Sequence, residues 1–184
     1  MAVNKYLDFL ESSSYNNNDG FILAKYRRKQ MTVIKLMLFG FIFIMGALFF
    51  TLYQNDANLL HEPGIVKRMA VFLTTNTAAT ADDHVFKELR TPVFNANAER
   101  LYQRVIYAAS ELGWDIIASD SDNQNANMVA HSRLFLFEDG IFVQVKLVDM
   151  EHSSLYIQSR SRTGYADFAS NSGNIQALIN KIKQ

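Results

Sequence analysis

The chain has no cysteine, two prolines and one tryptophan in 184 residues. The missing cysteine excludes disulfides, thiolate metal sites and a cysteine nucleophile together. It fits an oxidising compartment as well as a reducing one. An excess of either charge is also missing, since 18 basic side chains balance 18 acidic ones. A domain without a positive field has little to hold a phosphate backbone, so nucleic acid is not an expected partner. No glycine-flanked serine elbow, no histidine pair at helical spacing and no phosphate loop occurs. These absences lean the reading away from an enzyme, and neither a metal nor a cofactor is expected.

What the chain does have is one long uncharged run, LMLFGFIFIMGALFFTLY from Leu36 to Tyr53. As a helix its eighteen residues cover about 27 Å, close to the roughly 30 Å of a bilayer core. Phe, Leu, Ile and Met all round leave no face for water. The run starts too late, is too long and lacks a small-x-small cleavage site, so it reads as an uncleaved signal anchor. Lys25, Arg27, Arg28, Lys29 and Lys35 precede it, and no Lys or Arg follows until Lys67. The positive-inside bias then places the N-terminus in the cytoplasm and the rest on the far side of the membrane. Those basic side chains read as topology signal and lipid contact.

Four segments follow in chain order: a basic cytoplasmic tail at 1–35, the anchor at 36–54, a spacer at 55–87 and a single domain at 88–184. In the tail, Val3, Tyr6, Leu7 and Leu10 recur at helical spacing, whereas Ser12 to Gly20 breaks the period and reads as a loop. Helix resumes from Phe21. In the spacer, Pro63-Gly64 marks a turn and TTNTAATADD, from Thr74 to Asp83, carries no pattern.

The domain is expected to be α+β, a two-layer arrangement of helix, four-stranded antiparallel sheet and helix. Asn95 or Asn97 caps a helix whose Leu101, Val105, Ala108, Ala109 and Leu112 form one stripe up to Gly113. Strands are predicted at 114–118, 127–136, 141–148 and 154–162, with Asp139-Gly140 as the tight turn between the second and third. Ile175, Leu178, Ile179 and Ile182 mark a closing helix capped by Asn171.

Gly113-Trp114, SRLFLFEDGIFVQV from Ser132 and SRSRTGYADFASNSGNI from Ser159 resemble the bacterial domain of unknown function 1499 over about residues 88–183. That family's last segment has the form Arg-Ser-x-Ser-Arg-x-Gly-x-x-Asp-Leu-Gly-x-Asn-x-x-Arg-Ile. Ser159, Ser161, Arg162, Gly164, Asp167, Asn171 and Ile175 fit it, with Phe168 for the leucine. Gln158, Ala169 and Asn174 replace the first arginine, the second glycine and the last arginine. The resemblance implies no activity.

Ser159 and Ser161 share one strand face, and Arg160 and Arg162 the other. A structural reading joins Arg162, Asp167 and Asn171 in one network between the last strand and last helix. A binding reading makes Arg133 and Arg162 a receptor for a carboxylate or phosphate, with Asp167 and Asn171 beside them. A hydrolase would need Ser161 or Ser132, His131 or His152, and Asp167 to converge. His131 and Ser132 are neighbours on a strand and point apart. The expected role is a membrane-anchored, non-catalytic envelope domain that binds or supports, with membrane lipid and an envelope protein as partners. An apolar cavity under the sheet, holding lipid or another small apolar ligand, is one alternative, and a hydrolase using Ser, His and Asp is the other.

Overall fold

The structure is a computed structural model that describes residues 2–131 and 138–184. It divides into two compact units, one ending at Leu48 and one spanning Phe49–Gln184.

Helix α1, Ala2–Gln54, makes up the first unit as far as Leu48, and its last six residues belong to the second unit. From Leu36 to Ile44 its Leu, Phe, Met and Ile side chains are exposed. Among the described residues it is the one helix long and apolar enough to cross a membrane. Ser12 to Gly20, expected as a loop, is helical. Ser and Asn cost only a few tenths of a kcal/mol to about 0.7 kcal/mol per residue in a helix. Extending a helix already nucleated on both sides costs less than starting a new one.

In the second unit one sheet is covered on its inner face by helices. Strands β1 (Thr77–Ala79), β2 (Val93–Phe94), β3 (Asp115–Asp120), β4 (Asn125–His131), β5 (Glu138–Leu147) and β6 (Ser153–Ser161) form it. The order is β1-β6-β5-β4-β3, and β2 also pairs with β6. The sheet thus has six strands rather than four. The four expected ones are the antiparallel meander β3 to β6, and β1 and β2 share the outer edge of β6. Thr80 continues β1, donating its N–H to Ile157 O (2.9 Å) and accepting the Ile157 N–H at its hydroxyl (3.0 Å).

Helix α3, Ala98–Glu111, starts at Asn97, whose side chain accepts the Arg100 N–H at 2.9 Å. It stops where Gly113 turns left-handed at φ 73° and the Trp114 N–H bonds back to Ala109 O. Its stripe of Leu101, Tyr102, Val105, Ala108 and Ala109 is buried, as are Ile175, Leu178, Ile179 and Ile182 of helix α4, Ser170–Ile182. Both helices cover the inner face, where Ala126, Met128, Ile141, Val143, Leu155 and Ile157 are buried. Each large aliphatic side chain buried there contributes roughly 1.5–3 kcal/mol.

Two expectations about local structure are corrected. Asp139-Gly140 is not a turn but lies within β5, where Asp139 faces Ala130 and Ser161, and Gly140 faces Val129 and Arg160. The predicted second strand, 127–136, is seen as far as His131; the rest lies outside the described residues. The stretch expected as a spacer is built into the domain. It carries β1, helix α2 (Ile65–Thr74), and the buried Phe72 and Phe86.

Arg68 ties this stretch together. Its guanidinium is fully buried and donates to the carbonyls of Ala57, His61 and Glu62 and to both carboxylate oxygens of Glu88. It also lies over the Phe86 ring, 4.3 Å from the centroid. Burial pushes the Glu88 carboxyl upward, but the Arg68 hydrogen bonds, a backbone N–H and the Arg68 charge outweigh it and hold the group below the ordinary value.

Candidate functional site

The inner face of the sheet is apolar over most of its length and polar at one end. Strand alternation places Ser159, Ser161 and Asp139 on that face, with Asp139 opposite Ser161 and Ile141 opposite Ser159. The first turn of α4 lies over them. Asn171, fully buried, joins the two layers. Its Oδ1 accepts from the Ser159 hydroxyl at 2.6 Å, and its Nδ2 is shared among Asp167 Oδ2 (2.7 Å), Asn76 O (2.9 Å) and Ser161 Oγ (3.1 Å).

Asp167 receives the start of α4. It accepts the Ala169 N–H at Oδ1 (3.0 Å) and the Asn171 N–H at Oδ2 (3.3 Å). Asn171, expected as the cap, sits inside the helix, and the capping carboxylate is Asp167. On the other side of the cluster, Asp139 Oδ2 accepts from Ser170 Oγ (2.7 Å) and Asn174 Nδ2 (2.9 Å). Asp139 Oδ1 is buried with no hydrogen-bond partner among the described residues. Burial is the main cause pushing the Asp167 carboxyl above its ordinary value. Asn171 and the two backbone N–H groups oppose it, and the Asp139 charge adds to it.

The expected site residues are only partly brought together. Asp167 and Asn171 meet, and Ser159 and Ser161 join them. Arg162 does not: it lies exposed and pairs with Glu138, not with Asp167. Its position follows from alternation, because it lies on the face opposite Ser161. Arg133 and Ser132 lie outside the described residues. Gly113 and Trp114 end α3, and Gly164 turns the chain at φ 88° with its carbonyl on Asn76 Nδ2.

The hydrolase constellation does not assemble among the described residues. Ser161 faces Asn171, His131 bonds Asp115 at 2.9 Å, and His152 bonds Asp149 within its own turn. No group of three or more His, Asp or Glu side chains is placed to hold a metal among the described residues.

Sequence reasoning missed Asp139, Ser170, Asn174 and Asn76. Asp139 was hidden by the turn chemistry of Asp-Gly. Ser170 and Asn174 stand four residues apart on α4, on the face that meets Asp139, and that spacing was a usable signal.

A family model described as "Protein of unknown function (DUF1499)" matches residues 65–182, more than half of the chain. The chain belongs to this family. No curated protein matches it. Among solved structures, the crystal structure of the di-domain ARO/CYC BexL from the BE-7585A biosynthetic pathway is similar at 11% identity and a TM-score of 0.38. That similarity covers 58% of this chain and 46% of the other, and at this level it carries no argument about fold or function.

The DUF1499 match begins at the first residue of α2, so it extends upstream of the segments that carry the resemblance. Within the DUF1499 motif one replacement has a visible cost. Ala169 stands where the family form has its second glycine, and it is left-handed at φ 70°, directly after Phe168 at φ 49°. A left-handed residue with a Cβ costs roughly 1–2 kcal/mol, which the hydrogen bonds to Asp167 offset.

Proposed function

We propose that this chain is a single-pass protein of a bacterial inner membrane that holds its DUF1499 domain outside the cytoplasm as a non-catalytic binding or structural module. The observation that carries the reading is the fate of the motif's polar groups. Ser159, Ser161, Asp167 and Asn171 are buried and hydrogen-bonded to one another and to the backbone, the pattern of a latch between sheet and helix. A catalytic nucleophile needs a base within reach and access for substrate. The basic residues from Lys25 to Lys35 support the orientation, and the exposed apolar side chains of α1 support lipid contact. The partners implied are membrane lipid and another envelope protein; a metal or cofactor has no part in the reading.

Two measurements test it. A reporter active only outside the cytoplasm, fused after Gln184, should give signal, and a cytoplasm-only reporter there should stay silent; the reverse inverts the orientation. Variants of Ser161 and His131 to alanine that keep the wild-type denaturation midpoint should rescue a deletion phenotype. A folded variant that fails to rescue points to chemistry at that side chain.

A further inference from the structure

Just past α1, the second unit exposes aromatic and apolar side chains on two segments, the connector after Asn55 and the loop before α4. Asn55, the first residue past the helix, donates from Nδ2 to Phe168 O at 2.9 Å. Its own carbonyl lies where a Cβ on Gly173 would come within 2.8 Å, so the absence of a side chain at Gly173 lets α4 approach this closely. These contacts bring the loop between β6 and α4 beside the end of the apolar helix. That loop exposes Tyr165 (94%) and Phe168 (39%). The connector after Asn55 exposes Leu60 (90%), and it is pinned by the Arg68 bonds to Ala57, His61 and Glu62.

We propose that this end of the domain rests in the interface of the bilayer that α1 crosses, with Tyr165, Phe168 and Leu60 among the lipid headgroups. The inference rests on the membrane-anchored reading above. The occupant follows from continuity: the apolar run ends at Tyr53, and Asn55, two residues on, bonds the loop directly, so the loop begins where the lipid around the helix ends. Its chemistry fits, because tyrosine at headgroup depth buries its ring and keeps its hydroxyl wet. Met150 gives the contrast. It is 92% exposed and equally apolar, but sits in the β5–β6 turn at the other end of β6. The nine residues of that strand set it roughly 30 Å away at about 3.3 Å each.

The chain has no native cysteine, so single cysteines can be labelled cleanly. Full-length Tyr165→Cys, Phe168→Cys, Met150→Cys and Phe43→Cys, each carrying a polarity-sensitive fluorophore, are placed in nanodiscs with lipids brominated high on the acyl chain. Quenching at 165 and 168, with 43 also quenched and 150 unchanged from unbrominated lipid, supports the proposal. Should Phe168→Cys misfold, position 165 decides alone. If 43 is quenched but 165 and 168 behave like 150, the interfacial placement is wrong while the anchor stands. If 43 itself is unquenched, the anchor reading fails and the proposal falls with it.

Discussion

Arg68 and Asp167 are both charged side chains withdrawn from water, and their surroundings differ in kind. Arg68 has a bonded acceptor for each of its nitrogens, an opposite charge in Glu88 and an aromatic face against its plane. Asp167 has donors but no cation among its hydrogen-bond partners, and a second buried carboxylate, Asp139, adds like charge and leaves one oxygen unpaired among the described residues. In the first cluster, against the effect of burial, the Arg68 hydrogen bonds hold the Glu88 carboxyl below its ordinary value. The second is held by neutral amides and hydroxyls, and burial pushes the Asp167 carboxyl above its ordinary value. One closes the connector after α1 onto the domain; the other locks α4 to the sheet.

If that difference is real, removing the cation should cost most. Arg68→Met leaves Glu88 without its partner and three carbonyls without donors, and breaking a buried ion pair from one side costs about 3–5 kcal/mol. Trp114, the single tryptophan, can report unfolding of the full chain in detergent micelles. A loss below about 1 kcal/mol would mean that water replaces Arg68 freely and that the connector is not held by it.

Asn171→Ala should come next. It strips a donor from Asp167, Ser161 and Asn76 O and an acceptor from Ser159, all within the latch. Each buried group left unpaired costs about 1–3 kcal/mol, but neutral partners can re-pair among themselves, so a total of about 3 kcal/mol is expected. A loss larger than that of Arg68→Met would reverse the comparison and make the amide hub the stronger of the two.

How far each cluster was legible in the sequence follows from how local it is. Strands β5 and β6 and helices α3 and α4 were readable because their apolar periods are regular, and Asn97 and Gly113 mark the limits of α3. Asp167 and Asn171 were readable as a pair because they stand four residues apart. Arg68 was not. It lies in a short helix between Pro63 and a patternless stretch, and its partner Glu88 is twenty residues away. β1 has three small residues and takes its register from β6, eighty residues downstream, so no alternation announces it. Asp139 was misplaced for the opposite reason: Asp-Gly is a strong local turn signal, overridden here by bonds to Ser170 and Asn174, 31 and 35 residues away. Arg162 was assigned to Asp167 by proximity in sequence, when strand alternation already put it on the other face.

The smallest and most discriminating effect is on pH. Asp167 has its folded pKa above its ordinary value, so the native state holds that proton more tightly than the unfolded chain does. Its contribution to stability is complete below the ordinary carboxylate value and is lost as pH rises through the raised one. Glu88 has its folded pKa below the ordinary value, so its contribution is present above that value and is lost as pH falls through the depressed one. The stability difference between the wild-type chain and Asp167→Asn should therefore shrink as pH rises across the first window. The difference between wild type and Glu88→Gln should shrink as pH falls across the second. Each slope is bounded by the ~1.4 kcal/mol per pH unit of a single proton. Urea midpoints from about pH 3 to pH 8 reach both windows. Slopes of the same sign for the two pairs would show that Asp167 is compensated by a cation after all, and the contrast between the clusters would collapse into two versions of one ion pair.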